Sequence, residues 1–158
     1  MRGMPPPHSS ALRRGRRSCA SQVYIVTFTT YRRLRHFGNW DNAWPMARTL
    51  ASPAAWADSR LLCWVLMPDH WHGILQLGRI DSLPRNIGRA KALAAREWRT
   101  RSPWAKGFHD RLLTSERGLL AASRYVVENP VKAGLAAHPG TYPFWDAWWL
   151  PDPSPVVG

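Results

Sequence analysis

The order of apolar and polar runs predicts an α+β domain of ferredoxin-like type, one antiparallel sheet with its helices on one face. Three observations predict it. The segments read strand, helix, strand, strand, helix, strand, helix, which makes split βαβ units around a single sheet. A chain of 158 residues suits one domain. Hydrophobic residues make up 45%, enough for a core and too many for a chain disordered throughout.

Residues 1–20 (MRGMPPPHSSALRRGRRSCA) are rich in Pro, Ser and Arg and read as a disordered basic arm. The folded domain is expected over 21–150, with 151–158 as a flexible tail. Residues 23–30 (VYIVTFTT) are β-branched and aromatic, with apolar residues on both faces, and read as a strand. Arg32, Arg33 and Arg35 follow as a basic exit loop. Residues 41–57 carry Ala, Met, Leu and Trp at helical spacing, and Pro53 interrupts that helix. Residues 61–67 (LLCWVLM) and 70–77 (HWHGILQL) are strands joined by a turn at Pro68 and Asp69. Residues 83–101 form the clearest helix: Leu83, Ile87, Ala90, Ala94 and Trp98 make one stripe, and Arg85, Arg89, Arg96 and Arg99 the opposite one. Residues 108–113 (FHDRLL) read as a fourth strand. Ser115 then caps a helix that Pro130 is expected to stop near Glu128. Residues 131–158 are expected to be irregular.

Lys and Arg number 22 against 10 Asp and Glu, a net charge of +12. A field of that sign favours polyanions, nucleic acid first and an anionic membrane surface second. Lysine occurs only at 91, 106 and 132, so most of the charge is arginine, which forks onto phosphate and stacks on bases. The two cysteines, Cys19 and Cys63, give neither a disulfide framework nor a cysteine zinc site, and a reducing cytoplasm is the simplest home. The apolar run Val23–Phe28 is too short for a signal-peptide core or a membrane span.

His70 and His72 stand at strand spacing, so both imidazoles share one face and Trp71 points to the other. Such a pair can chelate one divalent ion; it can equally be two surface histidines. On the last helix Tyr125 and Asn129 lie one turn apart, off the core stripe of Leu119, Leu120, Val126 and Val127. Gly118, Ala121 and Ala122 share their face, which leaves room for a close approach such as that of a sugar-phosphate backbone. The other reading is half-buried packing for Tyr125 and a helix C-cap for Asn129.

These residues carry a resemblance. The run Met67-Pro68-Asp69-His70-Trp71-His72 resembles the His-hydrophobic-His box of the HUH single-strand DNA transposases. The run Tyr125-Val126-Val127-Glu128-Asn129-Pro130-Val131-Lys132-Ala133-Gly134-Leu135 resembles the tyrosine block of the REP-associated tyrosine transposases. Gly107-Phe108-His109-Asp110-Arg111 is similar to the strand before that helix, and Tyr142-Pro143-Phe144-Trp145 to the C-terminal tail of the same family. The likeness covers roughly residues 22–149. Asp69 stands where the family commonly has Asn, and Trp71 where it commonly has Val or Leu.

The resemblance implies an HUH-type endonuclease fold. It implies a metal-dependent, transposase-like enzyme that cuts single-stranded DNA at or near hairpin-forming repeats. Tyr125 would be the catalytic nucleophile, giving a 5′-phosphotyrosine intermediate. His70, His72 and Asn129 would hold Mg²⁺ or Mn²⁺. Arg85, Arg89, Arg96 and Arg99 would contact substrate phosphates. No membrane partner is implied, and dimers are known in the wider superfamily, so a homodimer is one expectation. Trp104, Trp145, Trp148 and Trp149 are candidates for stacking on unpaired bases, whereas Trp64, Trp71 and Trp98 read as core. The rival reading is a non-catalytic, basic nucleic-acid-binding protein of the same fold.

Overall fold

A computed structural model describes residues 21–147 apart from 97, 99 and 100. The basic arm, the C-terminal tail, Arg99, Trp148 and Trp149 therefore lie outside the described residues. Five strands form one sheet: β1 (Val23–Thr29), β2 (Arg60–Met67), β3 (His70–Gln76), β4 (His109–Leu113) and β5 (Trp145–Ala147). Their order is β4-β1-β3-β2-β5, and every neighbouring pair is antiparallel. The first four strands give the ferredoxin-like arrangement that the split βαβ pattern requires. β5 was expected to be irregular. It is too short for alternation to show in sequence, and it forms by pairing Trp145 with Val65 and Ala147 with Cys63 at the sheet edge.

Helix α1 (Trp40–Ala51) starts where the Asn39 side chain accepts the Asp41 N–H at 2.8 Å. It ends before Pro53, which opens a single 3₁₀ turn at Pro53–Ala55. Helix α2 (Leu83–Ala94) is capped by Ser82 and carries Pro84 in its first turn. It is shorter than the spacing predicts. The chain turns after Ala94, and the Trp98 ring packs at 5.2 Å from His36 and 5.8 Å from Phe37. Trp98 thus keeps its place against the core by leaving the helix.

Helix α3 (Glu116–Lys132) is capped by Ser115, whose Oγ accepts the Gly118 N–H at 3.0 Å. Pro130 does not stop it. The proline sits buried in the last turn, where its missing N–H costs one backbone bond. The stop is Gly134, at φ +74. Leu135 donates to the Pro130 carbonyl at 2.9 Å and Gly134 to the Val131 carbonyl at 3.0 Å, the Schellman pattern.

The helices occupy both faces of the sheet, which corrects the expectation of a single face. Tyr24, Val26, Phe28, Leu66, Trp71 and Leu75 pack with α1 and α2. Ile25, Cys63, Val65, Met67 and Ile74 pack with Ala122, Val126 and Val127 of α3. The reason is in the strands: successive side chains alternate and both sets are apolar, so each face must be covered. Within α3, Leu120 is exposed rather than core. On the α1/α2 face the Trp71 indole stacks between Phe28 (4.8 Å) and Trp56 (5.3 Å). It also lies over Gly73, where any Cβ would fall inside the indole ring. Among the described residues no helix is long and apolar enough to cross a membrane.

Candidate active site

β3 delivers the histidines and α3 the tyrosine. Trp71 is fully buried on one side of β3, so pleating turns His70 and His72 to the side that α3 crosses. Their ring centroids are 4.5 Å apart. The Tyr125 ring lies 5.6 Å from that of His72. Asn129, one helical turn on, hydrogen-bonds the His70 side chain. The four residues separated by more than fifty positions in sequence therefore meet in one place and within one chain.

Each imidazole is held by an oxygen partner on Nδ1. His70 Nδ1 is 2.7 Å from Asp69 Oδ1, and the other Asp69 oxygen accepts from Arg33 Nε at 3.1 Å. His72 Nδ1 is 2.7 Å from Thr27 Oγ1, across the β1–β3 register that pairs these two residues. Burial would raise the Asp69 carboxyl, but His70 and Arg33 outweigh it and hold the carboxyl below its usual value. A carboxylate only accepts, so His70 donates its Nδ1 proton. Burial is also the main force on the imidazoles. It lowers His70 against the pull of Asp69, and it pushes His72 down to about 3, helped by the positive charges of His70 and Arg33. Both rings are thus neutral at neutral pH, the form that binds metal.

The donor set tests the fit of a metal. Among the described residues no group of three or more His, Cys, Asp and Glu is placed to hold one. The set is two neutral imidazoles and the Asn129 amide, with Asp69 and Thr27 as supports behind the rings. Such a nitrogen-and-oxygen set fits a divalent ion that shares its shell with water and phosphate.

Tyr125 is 44% exposed and opens onto a cleft of about 370 Å³. Ile25, Ala121 and Ala122 give it an apolar lining, and Thr27, His72, His109, Asp110 and Arg111 are the polar groups beside Tyr125. The small residues of α3 leave this space, as the sequence implied. Lys132 Nζ stands 5.5 Å from the Tyr125 ring centre.

The other named residues are elsewhere. Arg85 and Arg89 are on the solvent side of α2, and Arg96 is exposed just past its end. α2 covers the sheet face opposite His70, His72 and Tyr125, and Arg89 is ion-paired with Asp81. Trp104 is not free for stacking: it is buried against Phe28 and Phe37. Among the described residues the exposed tryptophans are Trp40 and Trp44. Thr27, Arg33 and the Asp69–His70 bond escaped sequence reasoning. Thr27 shares the face of the histidines by alternation, but only the register reveals that it stands opposite His72.

The fold aligns with the structure of a REP-associated tyrosine transposase bound to a REP hairpin, with a TM-score of 0.71 over 82% of this chain and 79% of that one, at 17% identity. The chain has the fold of a REP-associated tyrosine transposase. It also aligns with a candidate transposase from Deinococcus radiodurans R1, with a TM-score of 0.50 over 72% of this chain and 94% of that one, at 20% identity. No protein-family model and no curated protein sequence matches.

Proposed function

We propose that the chain is a single-strand DNA endonuclease and strand transferase of the REP-associated tyrosine transposase type, with Tyr125 as nucleophile. The observation that carries this reading is the meeting of Tyr125 with the paired histidines on an open cleft: 5.6 Å separates the Tyr125 and His72 rings. The hairpin held by the solved transposase supports a DNA partner with hairpin-forming repeats. Arg85, Arg89 and Arg96 would contact phosphates away from the reacting bond, since α2 lies across the sheet, and Arg99 would also contact phosphate.

In the reaction the Tyr125 phenolic oxygen attacks a backbone phosphorus. The bond from phosphorus to the 3′-oxygen breaks. The phenolic proton is lost to solvent, and the departing oxygen takes up a proton to become a 3′-hydroxyl. The product is a 5′-phosphotyrosine, which keeps the energy of the phosphodiester for rejoining; attack by water would discard it. A later 3′-hydroxyl reverses the step on the same phosphorus and frees the phenol. A divalent ion such as Mg²⁺ or Mn²⁺, bound by His70, His72 and Asn129, would supply positive charge at the scissile phosphate. Asp69 and Thr27 fix the orientation of the two rings. Lys132 adds a cation beside the tyrosine that the phosphate must approach.

The test is a denaturing gel of the protein incubated with repeat hairpins carrying unpaired flanks and Mn²⁺. Wild type is expected to give a covalent adduct, and both Tyr125→Phe and His70→Ala none. If Tyr125→Phe still cuts DNA while His70→Ala does not, water is the nucleophile and the assignment of Tyr125 is wrong.

A further inference from the structure

The loop that leaves β1 carries an unusual backbone. Arg32 and Arg33 both adopt left-handed φ, at 55° and 56°, a region that residues with a Cβ rarely adopt. Such strain persists only where surrounding contacts impose it, and it gathers at functional sites. The contacts are present. Thr30, 1% exposed, donates its N–H to the Asp69 carbonyl at 2.9 Å. Its hydroxyl lies 2.7 Å from the Leu34 carbonyl oxygen. Tyr31 donates its N–H to the Pro103 carbonyl at 2.8 Å, and Arg33 is paired with Asp69. The loop is thus tied to the turn that carries His70, at the end of the sheet where Thr29 pairs with His70.

What the strain presents is a basic and aromatic tip. Tyr31 is 55% exposed, with the Arg32 guanidinium 5.2 Å from its ring centre. Arg32, Arg33 and Arg35 are all exposed, and no acid interrupts the run from Tyr31 to Arg35. An exposed aromatic ring among guanidinium groups is what successive bases and phosphates of an unpaired strand bind. The arginines of α2 cannot serve the strand at the reacting bond, because they face away across the sheet.

We propose that the loop Tyr31–Arg35 clamps the unpaired DNA strand leading into the cleft, with Arg32 and Arg35 on backbone phosphates and Tyr31 stacked on a base. This rests on the single-strand DNA reading given above. The experiment is fluorescence anisotropy of a labelled oligo-dT strand without divalent ion, over a salt series. Wild type is expected to bind with a steep salt dependence. Each of Arg32→Ala and Arg35→Ala is expected to reduce the slope of log affinity against log salt by about 0.7, the single-strand value per phosphate. Tyr31→Ala is expected to weaken binding at an unchanged slope, and Arg48→Ala, on the exposed side of α1, to match wild type. Arg35 has an ordinary negative φ, at −85°, so Arg35→Ala tests the loop even where Arg32→Ala disturbs the fold. A wild-type slope in Arg35→Ala overturns the clamp alone. No binding by wild type overturns the clamp together with the DNA reading.

Discussion

His72 carries the largest electrostatic shift in the site. Its folded value of about 3 stands against an unfolded value near 6.5, and burial is the chief cause. The unfolded chain takes up a proton as pH falls below about 6.5, while the folded chain refuses it until about 3. Stability is therefore full above the unfolded value and is lost on acidification, at up to about 1.4 kcal/mol per pH unit. Asp69, held low by His70 and Arg33, works in the same direction at lower pH. Urea unfolding of the metal-free protein at pH 7, 5.5 and 4.5 is expected to show a shallower decline for His72→Gln than for wild type. Equal declines would mean that His72 is not the buried, neutral ring described. Cys63 is inert by the same physics: burial, then the Asp146 charge, pushes its thiol up to about 12. At this scale the sequence displayed the four candidate site residues and hid their supports. Spacing set His70 beside His72 and Tyr125 beside Asn129, and the family resemblance, not the spacing, implied their roles. Thr27 and Arg33 were not legible, because their roles come from strand register and from a loop strained by distant contacts.

Two glycines show how an element is made to fit. Gly73 is bare because the Trp71 indole folds over it inside the aromatic stack. Gly73→Ala is expected to cost about 3 kcal/mol by overpacking, measured as a shift of the denaturation midpoint. Gly134 ends α3 at φ +74, and nothing crowds its Cβ position. Gly134→Ala is expected to cost only about 1 kcal/mol, through backbone conformation alone. A larger loss at Gly134 than at Gly73 would contradict both accounts. Element boundaries were legible where chemistry was local. Ser115 caps its helix as its type suggests, and Pro53 marks the end of the α1 region. They were illegible where tertiary packing decided. Trp98 leaves the helical stripe to meet Phe37, β5 exists only by pairing with β2, and Pro130 is absorbed in the last turn of α3.

Across the whole molecule the sheet separates two packed faces, one under α1 and α2 and one under α3. The strand order of the ferredoxin-like core followed from the split βαβ pattern, and the apolar residues on both faces of β1 already hinted at cover on each side. The expected one-sided arrangement failed because α3 comes after the split pattern and must cover the second face. As a result the arginines of α2 and the cluster of His70, His72, Tyr125 and Asn129 lie on opposite sides. Arg85→Ala and Arg96→Ala are expected to weaken DNA binding and lower its salt slope, while adduct formation at saturating DNA stays at the wild-type rate. A fall in that saturated rate would place α2 closer to the chemistry than the sheet allows. The measurement that tests the central claim most directly follows the two ends of a cut strand. With one hairpin substrate labelled at its 5′ end and another at its 3′ end, the Tyr125 account predicts that only the 3′ label stays bound to the protein, and that the released 5′-labelled fragment carries a free 3′-hydroxyl. Retention of the 5′ label, or two free fragments with Tyr125→Phe as active as wild type, would contradict it.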